Sequence, residues 1–372
     1  MQYRKFGKTG VEVSALGFGT MRLPLVNPED SSTIDEARAI RMLRDAVDAG
    51  LNYIDTAYPY HMRMSETLVG KALQDGYREK VYLATKSPVW LLEKPEDFDR
   101  ILDEQLEKLQ TDHIDFYLLH ALSQERWENV VVKLGLLERA EKAKEAGKIR
   151  HIGFSFHDGL PAFKTIVDGY DKWDFCQIQY NYINTDYQAG AEGLRYAASK
   201  GLGVIIMEPL LGGRLADPPQ AVKDVLPDTK SPVEWGLDYL WNQPEVSLLL
   251  SGMSTEEQAA QNLEYASRSS VGMLSEEEAE MFEQAKLAYD GLALVPCTKC
   301  KYCMPCPFGL DIPGTFEAYN ALAYETEESA RKRYGTLEKK ADACRACHHC
   351  EKECPQHIGI SSLMPEIAKK LG

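Results

Sequence analysis

Four side chains suited to proton chemistry stand at or just past the ends of successive apolar, β-rich runs. Asp55 lies near the end of Asn52–Ala57 and Tyr60 in the Pro-containing turn that follows; Lys86 ends Val81–Lys86, and His120 ends Ile114–His120. Polar residues where a buried strand stops are often the chemical ones. A carboxylate keeps a neighbouring ammonium charged and oriented. An ammonium favours phenolate, so it should lower a phenol whose ordinary pKa is near 10. A histidine can position a carbonyl oxygen or share its proton. Together the four suit a substrate oxygen that gains negative charge in the transition state. Taken singly, each has a blander reading, as a structural ion pair or a packed histidine. Their recurrence on consecutive units is what points to chemistry.

The second chemistry lies in thiols. Eight of nine cysteines follow residue 296, in two runs. The first is Cys297-x2-Cys300-x2-Cys303-x2-Cys306-Pro307; the second is Cys344-x2-Cys347-x2-Cys350-x3-Cys354-Pro355. Thiolates so spaced wrap a compact turn around an iron–sulfur cube, and the Pro redirects the chain. A zinc site uses paired C-x2-C motifs with one longer gap, which fits these runs poorly. The spacing points to two [4Fe–4S] clusters. Cys176 falls in an apolar run and reads as core. His348 and His349 read as flanking residues, because each run already has four thiols.

Short β-rich runs alternate with helical patterns from Ala15 to Ser267. The strands are expected at Ala15–Met21, Asn52–Ala57, Val81–Lys86, Ile114–His120, Ile149–Phe156, Phe175–Asn181, Gly203–Leu210 and Val246–Gly252. Amphipathic patterns fill the gaps. Thr33 and Glu36 read as a capping box for the first helix, and Arg126–Ala146 reads as one long helix. Eight strand–helix units imply a (β/α)8 TIM barrel, and the apolar strands fit a sheet covered on both faces. An open doubly wound sheet is the alternative, but Gly17-Phe-Gly19 lacks the full phosphate-turn pattern. A hairpin over residues 2–14 precedes the barrel. After a hinge at Gly291–Pro296, the rest reads as a small, mainly α-helical domain. The expected domains are therefore 1–290 and 291–372.

The 372 residues are 44% hydrophobic, ample for a core, and carry a formal net charge of −15. That charge argues against nucleic acid and anionic membranes as partners. With neither a secretory signal nor an apolar run of membrane-spanning length, the chain reads as cytoplasmic.

The motifs Asp55-Thr-Ala-x-x-Tyr60, Ser65-Glu66, Gly70-Lys-Ala-Leu73, Ala84-Thr-Lys86, Asp115-Phe-Tyr-Leu-Leu-His120, Gly147 to Ser155, Gln177 to Asn181 and Gln261-Asn262-Leu263 resemble the aldo-keto reductase signature in order and spacing. The resemblance covers roughly residues 1–290. It implies a barrel that transfers hydride between NAD(P)H and a small-molecule carbonyl or alcohol. It implies Tyr60 as general acid, Lys86 and Asp55 as its tuning pair, and His120 as the carbonyl-orienting residue. Ser155 and Gln179 match holders of the nicotinamide carboxamide. Met207 takes the place of the usual stacking aromatic, and Gln258, Gln261 and Asn262 fall in the nucleotide segment. Phe156 stands where Asn is usual, and Glu208 where a small polar residue is usual. Gly252-Met253-Ser254 and Gln258 stand where many members carry Lys, Ser and Arg for a 2′-phosphate. NADH is therefore favoured slightly over NADPH, unless Arg214 or another basic residue compensates.

The second Cys run is similar to the bacterial ferredoxin pattern; the first is one residue short in its last gap. The resemblance implies crossed ligation: Cys297, Cys300, Cys303 and Cys354 on one cluster, Cys344, Cys347, Cys350 and Cys306 on the other. It is the ferredoxin-like branch of the reductase family that the whole chain resembles. Nicotinamides give electrons in pairs and clusters pass them singly, which leaves three readings. The clusters are structural or sensory beside hydride chemistry; or a flavin in the barrel exchanges electrons with them and with an electron-transfer partner; or the chain is a non-enzymatic redox sensor on a retired fold.

Overall fold

The computed structural model describes residues 1–297 and 299–372. The chain divides into two compact units, Met1–Leu215 with Lys230–Ala279, and Ala216–Thr229 with Glu280–Gly372.

The first unit opens on an antiparallel hairpin, β1 (Tyr3–Lys5) with β2 (Glu12–Ser14). Eight parallel strands follow among the described residues: β3 (Leu16–Gly19), β4 (Tyr53–Asp55), β5 (Tyr82–Ser87), β6 (Ile114–Leu122), β7 (Ile149–Phe156), β8 (Phe175–Gln179), β9 (Gly203–Met207) and β10 (Leu248–Gly252). They pair in chain order, and β10 returns to β3 to close the barrel. The helices between them are α1 (Glu36–Asp48), α2 (Ser65–Ala72), α3 (Glu96–Leu109), α4 (Leu136–Glu145), α5 (Leu160–Asp168), α6 (Gly190–Ser199), α7 (Pro232–Trp241) and α8 (Glu256–Ser267). Each turns an apolar stripe to the sheet; on α1 it is Ala39, Met42, Leu43, Ala46 and Val47. The (β/α)8 barrel expected from the alternation is present.

Two local expectations need correction. Asp35, not Thr33, caps α1, its carboxylate accepting from Arg38 N–H. Thr33 bonds instead within its own turn, to Asn27 and Asp30. Nor is Arg126–Ala146 one helix. A short turn at Gln124–Arg126 widens into a π turn over Trp127–Val132, and α4 begins only after Gly135, whose φ of +61° breaks the run.

The barrel interior at the strand starts is stoppered by the hairpin. Phe6 is fully buried against Phe116, Phe175 and Tyr53, with ring centroids 4.8, 5.6 and 6.3 Å away. The hairpin backbone comes so close that a Cβ on Gly7 would lie 2.3 Å from Gly203 N. The strand ends at the other rim are left for polar residues.

The second unit carries the helices Ile312–Asn320, Glu327–Gly335 and Ile360–Leu371 around a small core of Val295, Phe316, Tyr334, Ile360, Met364 and Ile367. Asn320 bonds both backbone groups of Val295 at 2.8 Å. Among the described residues no helix is long and apolar enough to cross a membrane.

Candidate active site and thiol-lined cavities

Strand register brings the four proton-chemistry residues together. Asp55 is the last residue of β4 and pairs with Ala84; Lys86 on β5 pairs with Leu118 on β6, two residues before His120. Lys86 Nζ donates to Asp55 Oδ1 at 2.6 Å, to the Thr56 carbonyl at 2.8 Å and to Tyr60 Oη at 3.5 Å. The His120 and Tyr60 rings meet edge to face, centroids 6.2 Å apart. Asp55 and Lys86 are buried.

Burial raises the Asp55 carboxyl, with the charge and hydrogen bond of Lys86 opposing it. Burial alone would lower the Lys86 ammonium; the facing Asp55, aided by Tyr60, more than reverses this, and Lys86 titrates above an ordinary lysine. The expectation for Tyr60 is corrected. Burial pushes the phenol above 10, Asp55 adds to the rise, and Lys86 pulls downward without offsetting them. Desolvation penalises the phenolate more than one ammonium at 3.5 Å favours it. His120 is held well below an ordinary histidine by burial, then by the charges of Lys86, His157 and Arg126. The site thus presents a protonated phenol and a neutral imidazole.

Residues not singled out in the sequence support this group. Gln105 on α3 donates to the Lys86 carbonyl at 3.0 Å and to the buried Glu66, which also accepts from Thr85 at 2.7 Å. Trp90, in the loop after β5, leans over His120 with centroids 5.0 Å apart. Ser65-Glu66 was visible as a motif; Gln105 and Trp90 carry no pattern of their own. At the strand starts, a charged recess of about 1030 Å³ is lined by Arg78, His113, Asp115 and Arg150 among others. Its two arginines both pair with Asp115, which marks it as structural.

On the nucleotide side, Ser155, Gln179 and Met207 occupy β7, β8 and β9, with Gln179 and Met207 in register. Ser155 Oγ accepts from Ala121 N–H at 2.7 Å, and Gln177 Oε1 is buried without a partner. These polar atoms beside the tetrad fit a carboxamide. Phe156 lies in the core against Phe163. Met207 Sδ takes a contact from Gln177 Nε2 at 3.7 Å. The α8 residues are not brought to the tetrad's own bonds. Gln258 Oε1 caps Ser254 N–H, Gln261 is exposed, and Asn262 is tied to Ser251. Arg22, unremarked in the sequence, packs its stem against Gly252. Arg214 bonds the Leu211 carbonyl, and Glu208 is exposed at positive φ.

In the second unit, Cys297, Cys300, Cys303 and Cys354 line one small cavity, with Ile312, Phe316 and Ile360. Cys306, Cys344, Cys347 and Cys350 line another, with Ile312, Ile360 and Met364. Among the described residues no three ligating side chains converge closely enough for a single ion. Four thiols spread around a void suit a cube better than a lone zinc. His348 is exposed and bonded to Glu351 at 2.8 Å; His349 is exposed; Cys176 is fully buried in β8.

Comparison with known proteins agrees with this geometry. Residues 15–286 match the aldo/keto reductase family, and residues 296–358 match a 4Fe-4S dicluster domain. L-galactose dehydrogenase of Arabidopsis thaliana is 30% identical over 312 residues, 75% of this chain and 94% of that protein. An uncharacterised oxidoreductase, YrpG, of Bacillus subtilis is 31% identical over 239 residues, 58% of this chain and 68% of that one. The holo form of the aldo-keto reductase AKR11C1 from Bacillus halodurans superposes with a TM-score of 0.64 at 25% identity, covering 77% of this chain and 96% of that one. The chain is an oxidoreductase that carries a 4Fe-4S domain, and it belongs to the aldo/keto reductase family.

Proposed function

We propose that the barrel reduces a small-molecule carbonyl with a nicotinamide dinucleotide, Tyr60 giving the proton. The observation that carries this is the Lys86 ammonium held between Asp55 and Tyr60 beside a neutral His120. A bound nicotinamide supplies the hydride, which goes to the carbonyl carbon. Tyr60, protonated at neutral pH, donates its proton to the carbonyl oxygen as charge develops there. Lys86 faces the resulting phenolate, and Asp55 keeps Lys86 charged. His120, with a neutral ring, orients the oxygen. Ser155 and Gln179, with Gln177, are the groups we assign to the carboxamide, and Met207 to the ring face. NADH is favoured over NADPH, because Ser254 and Gln258 bond each other where a 2′-phosphate needs cations.

In the second unit we assign one [4Fe–4S] cluster to Cys297, Cys300, Cys303 and Cys354. The other falls to Cys306, Cys344, Cys347 and Cys350. When bound, such clusters supply one-electron redox chemistry.

A second reading rests on Phe156 being sunk in the core and on Gln258 serving as a cap. With the nucleotide side so loosened, a flavin could replace nicotinamide and exchange single electrons with the clusters and a docking donor. The test is direct. Protein purified without oxygen is denatured and its supernatant assayed for flavin, then NADH and NADPH affinities are compared on the native protein. Flavin at near one per chain overturns the nicotinamide reading. Its absence, with measurable NADH binding, supports it. Carbonyl reduction fully retained in Tyr60→Phe would remove Tyr60 from the role.

A further inference from the structure

The rim of the barrel site holds a cation that the proposed reaction does not use. Arg126 follows β6, four residues past Leu122, and is half-buried. Its guanidinium carbon sits 5.2 Å from the centre of the Trp90 ring, and that ring leans on His120. Its Nη1 donates to the Ala121 carbonyl at 2.7 Å. Ala121, next after His120, is itself at a φ of +55°. A guanidinium has five N–H donors in a planar fork. Among the described residues no carboxylate pairs with this one, although most partly buried arginines of the unit have such a partner, as Arg78 has Asp115 and Arg139 has Glu96 and Asp99.

The surroundings sharpen the point. Arg126 bears on two histidines: burial first, then Arg126, lowers His157, and burial first, then Lys86, His157 and Arg126, lowers His120. A half-buried cation without a counter-charge is a favourable place for a ligand that brings an anion. Arg's fork matches a carboxylate in particular, with two parallel hydrogen bonds. Trp90, 40% exposed beside it, offers an apolar or aromatic stretch of ligand a face to lie on.

We propose that Arg126 seats a carboxylate of the substrate, so that this site is built for carbonyl compounds that also carry a carboxylate, with Trp90 as the wall between the two groups. The inference rests on the carbonyl-reduction reading and names its substrate class.

The experiment compares 4-carboxybenzaldehyde with benzaldehyde on native protein with both metal sites loaded. Native kcat/KM should favour the acid by on the order of tenfold or more, the scale of a charge-assisted hydrogen bond. In Arg126→Met that ratio should fall close to one, and Arg126→Lys should lie between. A ratio near one in native protein, or one unchanged in Arg126→Met, overturns the proposal. Benzoate binding by titration calorimetry separates this from the parent reading. If neither aldehyde is reduced but benzoate binds saturably to native protein and not to Arg126→Met, the anion seat stands and carbonyl reduction fails. If benzoate binds neither, or both alike, the seat fails.

Discussion

The ammonium of Lys86 lies 2.6 Å from Asp55 Oδ1, and both side chains are shut away from solvent. Removing one partner leaves the other buried and uncompensated, which typically costs about 3–5 kcal/mol. Lys86→Met should therefore destabilise the barrel by that order in denaturant unfolding. The double variant Lys86→Met with Asp55→Asn should recover part of the loss. A single variant as stable as the native protein would contradict the pairing.

Tyr60 should keep its proton well past neutrality. Its phenol is raised above 10 by burial, with Asp55 adding and Lys86 opposing. An ultraviolet difference titration of native protein against Tyr60→Phe, without nucleotide, should show this residue's phenolate forming only at a higher pH than a free tyrosine's. Tyr60→Phe should also lower carbonyl reduction by about 10²–10⁴-fold, the usual contribution of a positioned acid, without unfolding the barrel. A phenolate appearing near pH 8 would mean the ammonium outweighs desolvation.

His120 makes the folded barrel acid-sensitive. Its folded pKa lies well below 6.5, chiefly through burial, so at lower pH the unfolded chain binds a proton the folded chain refuses. The stability that this group contributes is present above pH 6.5 and is lost as pH falls below it. Native protein should lose up to about 1.4 kcal/mol per pH unit more than His120→Gln over that window. Parallel acid limbs for the two proteins would remove the effect.

Cys347→Ala should lose one cluster and loosen the second unit. Cys354→Ala tests the crossed sets, because Cys354 shares its cavity with Cys297, Cys300 and Cys303. Iron should drop from about eight to about four per chain in either variant. The cluster surviving Cys354→Ala should be lost on further mutation of Cys344 but not of Cys297. Unchanged iron in Cys347→Ala would contradict the assignment.

Phe6 should matter as a core residue although it sits just past a three-residue strand, at the start of the hairpin turn. Phe6→Ala opens a cavity against Phe116, Phe175 and Tyr53 and should cost about 3–5 kcal/mol. A loss under 1 kcal/mol would show that the hairpin collapses into the gap.

The barrel was legible because buried parallel strands are near-continuous apolar runs, and some carry a polar residue at or near their ends, as β4 does at Asp55 and β5 at Lys86. The tetrad was legible for the same reason. Helix starts were less so: Asp35 and Thr33 are both good caps, and only the turn that occupies Thr33 decides between them. The break at Gly135 is one permissive residue within an otherwise helical pattern. Tyr60's shift could not be read from its neighbours in sequence, because desolvation depends on what covers the ring. Arg126 and Trp90 lie on different loops, and nothing in either segment announces that they meet.

Each thiol-lined cavity borrows one member from the other run: Cys354 completes the first and Cys306 joins the second. During synthesis, Cys297 to Cys306 leave the ribosome as an unfinished set, three thiols for one void and a single thiol for the other. Both sets become whole only within the second run. On the cluster assignment proposed above, a chain stalled between the two runs lacks a full ligand set for either site.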